Sequence, residues 1–218
     1  MLKWFKAIIA VLLLPACIGA GWALWRVVRQ TGAAETVWVA LLSGAACWWV
    51  IYWLLPKPMW AYVVGHELTH ALWTWLFGGQ VKKFRATAKG GHVIVTKTNF
   101  LIALAPYFFP LYAILVVTLF LAGNLVWNWR PYMAWFHLLL GAAYAFHVSL
   151  TWHVLKSTQT DITEQGYLFS SVVIFLGNVL VLLLAVPLLT AHVELSTALR
   201  WWAEYTGAVL KYLAHFMS

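Results

Sequence analysis

Six apolar runs, each long enough to cross a lipid bilayer, nearly fill this sequence: residues 7–25, 37–55, 59–77, 100–122, 132–155 and 167–190. About 20 apolar residues span the hydrocarbon core of a membrane. Backbone N–H and C=O groups find no water there, so each run must satisfy them internally and is expected to be a helix. Only 9% of the 218 residues are charged and 64% are apolar, whereas a soluble domain carries about 25% charged residues. The expected fold is therefore an all-α polytopic membrane protein of about six transmembrane helices, forming a single domain over residues 1–218.

The charge distribution follows the same logic. A net charge of +8 from 14 Lys and Arg against 6 Asp and Glu can signal nucleic acid, but here the basic residues are scattered between apolar runs instead of gathered on one face. They read as membrane-flanking charges, with the lipid bilayer as the partner and nucleic acid excluded. Loops after the first, third and fifth runs hold more Lys and Arg than those on the other side, which places the segment after the third run in the cytoplasm. Lys3 and Lys6 precede the first run as in a signal peptide, but the run is too long and ends in Arg26 and Arg29, so it is read as a retained span. Trp and Tyr crowd the run ends, where amphipathic rings favour the headgroup layer. Cys17 and Cys47 lie inside apolar runs without metal-binding spacing and are read as packing residues.

Two segments depart from the helical pattern. Residues 80–99 carry Lys82, Lys83, Arg85, Lys89 and Lys97, with β-prone stretches on either side of Lys89-Gly90-Gly91. Paired glycines supply the positive φ of a tight turn, so a short β-hairpin is expected after the third run. Beyond the last run, Leu195, Leu199, Trp202, Val209, Leu213 and Phe216 share a helical stripe opposite Arg200, Glu204 and Lys211. That stripe describes a C-terminal interfacial amphipathic helix over about 193–217, or else a helix packed on the spans.

The third run contains Gly65-His66-Glu67-Leu68-Thr69-His70, an H-E-x-x-H pattern. Helical residues four apart share a face, so two imidazoles can grip one Zn²⁺ while the intervening glutamate sits beside it. Zinc lowers the pKa of water towards about 7, and a neighbouring carboxylate can take the proton as a peptide carbonyl is attacked. A chance arrangement would pack these three side chains between helices. Against that, Glu67 is the only acidic residue in the middle of an apolar run, where an ionised side chain costs about 2.5–3.5 kcal/mol on insertion scales and usually has a partner.

The stretch GHELTHALWTWLFGG, followed by a basic β-like segment and a further apolar run, resembles the site-2 protease family of intramembrane zinc metalloproteases, in a divergent bacterial branch. The resemblance covers residues 60–189. It implies His66 and His70 as zinc ligands, Glu67 as general base, a catalytic core of about 59–190, membrane proteins or peptides as substrates, and a bacterial inner membrane as the location. It also implies a third ligand, an aspartate far downstream, for which Asp161 is the matching candidate, about 90 residues after His70. The surrounding Gln159-Thr160-Asp161-Ile162 departs from the family's usual Asp-Gly context, and His147 and His153 remain alternatives. Pro106 and Pro110 are expected to kink the fourth run, and Asn178 is expected to hydrogen-bond between helices or to a substrate backbone. A non-proteolytic membrane zinc protein, transporter or assembly factor is the competing expectation.

Overall fold

The structure, a computed structural model, describes residues 3–88 and 90–217. Its elements in chain order are α1 (Lys3–Gln30), α2 (Glu35–Leu54), α3 (Met59–Leu76), β1 (Val81–Thr87), β2 (Gly90–Val95), α4 (Phe100–Leu104), α5 (Leu111–Trp127), α6 (Met133–Leu155), α7 (Thr160–Gln165), α8 (Tyr167–Thr190) and α9 (Leu195–Met217), with 3₁₀ turns at Ala105–Tyr107 and Arg130–Tyr132. Among the described residues, four helices are long and apolar enough to cross a membrane: α1, α2, Arg130–Leu155 and α8. A fifth span is counted if α4 with its 3₁₀ turn and α5 are taken together.

The expected count of six is thus corrected in two places. The fourth run is not one straight helix: Phe100–Tyr107 and Leu111–Trp127 meet at 80°. Pro110 has no N–H to donate and restricts the residue before it, so the helix must end there and start again. The third run forms α3 but falls short in apolarity, because it carries His66, Glu67 and His70 among its 18 residues.

The chain, read from its sequence as one domain, groups into two compact units, Met1–Glu35 with Thr160–Ser218, and Thr36–Gln159. In the first, α1 packs on α8 and α9 through a stripe of small residues, with Ala10, Ala20 and Ala23 fully buried. Small side chains let backbones approach closely: a Cβ added to Gly19 would lie 2.6 Å from the Thr206 nitrogen. Trp202 Nε1–H donates to the Ala16 carbonyl at 3.0 Å, and the Arg26 guanidinium stands 4.2 Å above the Trp201 ring. The first half of α9 therefore packs on α1, while Leu210, Tyr212, Leu213 and Phe216 farther along are exposed. Cys17 is buried, its thiol directed at the Val172 carbonyl, and Asn178 donates to Ile174 of its own helix.

In the second unit, α2 and α6 cross at two glycines. A Cβ on Gly44 would fall 1.8 Å from the Leu138 carbonyl oxygen, and one on Gly141 would fall 2.0 Å from that of Leu41. Trp48 is buried here and donates to Ser149 Oγ at 2.8 Å, so this tryptophan is core, not an interfacial anchor. Helix α3 ends in a Schellman motif, Gly78 at φ 68° with Gly78 N–H on Trp75 O and Gly79 N–H on Thr74 O, because glycine takes the left-handed conformation without strain. The chain then enters the expected antiparallel hairpin, in which Phe84 pairs Val93 and Arg85 pairs His92. Gly90 and Gly91 belong to β2, paired with Thr87 and Ala86, so the turn falls earlier than expected. Lys89, expected at that turn, lies outside the described residues.

Candidate metal centre

Helical periodicity brings His66 and His70 onto one face of α3, with ring centroids 4.9 Å apart and planes at 79°. Each ring is held by its surroundings. His66 meets Tyr107 edge-on at 5.3 Å and Tyr62 at 5.9 Å. Tyr112 lies over Gly65, where a Cβ would be 2.7 Å from its ring, and its hydroxyl donates to the Ala61 carbonyl at 2.5 Å. His70 is buried, and its Nδ1 is 2.8 Å from the carbonyl oxygen of Ile102. A carbonyl can only accept, so Nδ1 carries the proton, and the neutral ring keeps its lone pair on Nε2. That is the arrangement a metal-ligating histidine needs, in which the distal N–H fixes both the tautomer and the ring plane.

Glu67 is buried beneath the hairpin. A Cβ at Gly91 would come 2.7 Å from Glu67 Cγ and 2.9 Å from Oε1, so the bare backbone of β2 rests on this side chain. Beside it opens a cleft of about 300 Å³, lined by His66, Glu67, Tyr62, Gly90 and Gly91, with Gln159 at its margin. Sequence reasoning missed Gly91 as a site residue and assigned it to the turn. The visible signal was a second glycine following one that already met the turn's conformational need.

Asp161 sits in the first turn of α7, half-buried. This short helix is fastened by Gly166 N–H and the Ser170 hydroxyl, both donating to Ile162 O, and by Lys6 Nζ donating to Gln165 Oε1 at 2.6 Å. Asp161 belongs to the unit Met1–Glu35 with Thr160–Ser218, whereas His66 and His70 belong to Thr36–Gln159, which supplies the two imidazoles as donors. A pair of imidazoles one helical turn apart suits zinc, and other first-row divalent ions as well. Among the described residues, His147 and His153 belong to no group of three side chains that could hold a metal ion. His147 instead lines a small space beside His66, of about 20 Å³, which is room for one water.

No match was found between this chain and any protein-family profile, curated protein or solved structure.

Proposed function

We propose that this chain is an integral membrane zinc metallopeptidase of the site-2 protease kind, hydrolysing peptide bonds of membrane proteins, with His66, His70 and Asp161 as ligands and Glu67 as general base. The observation that carries the reading is the pairing of His66 and His70 on one face of α3, with His70 Nδ1 held by the Ile102 carbonyl and Glu67, next in sequence to His66, facing a cleft. Bound zinc supplies Lewis acidity and makes water acidic enough to deprotonate near neutral pH. Glu67 takes that proton and returns it to the leaving amine; positioned acid–base groups of this kind contribute about 10²–10⁴-fold in rate. The cleft holds the peptide, and the edge of the hairpin gives an extended segment backbone partners, which a helical substrate must unwind to reach.

Membrane embedding is supported by the burial pattern of α3. Its polar Glu67, Thr69, His70 and Thr74 are buried, whereas Trp60, Leu68, Trp75 and Leu76 are exposed. A helix in water does the reverse, and intramembrane ionisable groups turn inward to partners or cavities. We take α3 as a further membrane-embedded helix in a bacterial inner membrane, with the basic hairpin on the cytoplasmic side.

The test is Glu67→Gln in the purified full chain. Zinc content should stay at one per chain while cleavage of a membrane-tethered reporter disappears. A fully active Glu67→Gln enzyme would end the assignment, and zinc binding without cleavage by the unsubstituted chain would favour a zinc-binding scaffold.

A further inference from the structure

We propose that Pro106 is a positioning residue for the metal centre, acting by withholding a backbone N–H so that the Ile102 carbonyl is left to His70. In an α-helix the carbonyl of residue i accepts from the N–H of residue i+4. The ladder of α4 runs up to this point, since Ala105 N–H bonds Leu101 O. Were the α-helical ladder to continue into the 3₁₀ turn, its next rung would join residue 106 to Ile102, and residue 106 is a proline with no hydrogen to give. Water does not replace it, because Ile102, Leu104, Ala105 and Tyr107 are each at most 3% exposed. A buried carbonyl without a donor costs about 1–3 kcal/mol. Here the donor is His70 Nδ1–H at 2.8 Å, from a residue 32 positions away.

The other end of Ile102 is fixed as well. Asn99 caps α4, its Oδ1 accepting from Ile102 N–H at 2.8 Å. Cap and proline together hold the carbonyl at one place and direction, aimed at α3. Its effect on His70 is to hold the proton on Nδ1 and the lone pair on Nε2 before any ion arrives. Pro106 also borders the small space beside His66. The missing N–H, not only the bend it accompanies, is thus what the site uses.

This inference rests on the reading of His70 as a metal ligand, and its test separates the two. Zinc affinity is measured by chelator competition on the full chain in nanodiscs, for Pro106→Ala and for Pro106→lactic acid. The second substitution has the same methyl side chain as the first but an ester oxygen in place of the N–H. Pro106→Ala restores a competing donor and should weaken zinc binding by about 10–100-fold, the usual cost of losing a ligand's outer partner. The ester should keep the affinity of the unsubstituted chain. Equal losses in both variants, or no loss in Pro106→Ala, would overturn the proposal. Failure of the unsubstituted chain to bind zinc, or unchanged affinity in His70→Ala, would instead remove the metal reading. If neither variant folds, ¹⁵N NMR of His70 in the metal-free full chain decides: a proton on Nδ1 is expected, and one on Nε2 refutes the proposal.

Discussion

Replacing Gly91 by alanine tests whether the hairpin sets the position of Glu67, the proposed general base. The added Cβ would stand 2.7 Å from Glu67 Cγ and 2.7 Å from the Arg85 carbonyl oxygen, about 1 Å inside an ordinary carbon–carbon contact of about 3.5–4.0 Å. The Arg85 oxygen belongs to the paired strand of the hairpin and gives way only if β1 and β2 shift together. The Glu67 side chain, or the strand over it, must therefore move by roughly that ångström. A displacement of this size at a catalytic group costs about 10²-fold, equivalent to about 2.7 kcal/mol of barrier. The assay is turnover of a membrane-tethered peptide reporter in proteoliposomes, read beside zinc content. Turnover should fall about 100-fold with zinc retained. Gly21→Ala and Gly207→Ala are the controls, since a Cβ at either meets nothing within 4 Å, and both should cleave normally. Unchanged turnover in Gly91→Ala would refute the reasoning, as would loss of zinc in parallel with activity, because the hairpin would then act on the ligands and not on Glu67.

Asp161→Ala and His66→Ala should each release the metal of the proposed site, measured as zinc per chain after dialysis, since a proposed set of three ligands cut to two no longer closes round an ion; full retention in Asp161→Ala would return His147 or His153 to consideration. Gly44→Ala should destabilise the α2–α6 crossing by about 1–3 kcal/mol or more, because its Cβ would meet the Leu138 carbonyl oxygen at 1.8 Å. Thermal unfolding in detergent should show a lower midpoint, and an unshifted midpoint would mean the helices can separate there without cost.

How legible each feature was depends on the range of the interaction that makes it. Apolar length made α1, α2, α6 and α8 readable as candidate spans, because helix formation by a long apolar run is local and its solvent demands it. The pairing of His66 with His70 was readable for the same reason, since four residues of helix fix their common face. The fourth run was only half readable: its prolines announced a disturbance, but an 80° turn instead of a modest kink depends on what the two pieces pack against. Trp48, in the middle of the second run, showed no partner within its own segment, and the Ser149 hydroxyl that takes its indole N–H lies 101 residues away.

By itself, then, the sequence determined the helical class, the hairpin and the histidine pair, all of which follow from periodicity, turn chemistry and apolar length within one segment. Tertiary structure alone decided that β2 rests its Gly91 backbone on Glu67, and that the Ile102 carbonyl in α4 meets His70 Nδ1. Each of these joins residues far apart in the chain. Their meeting depends on how whole helices pack, which no local pattern encodes.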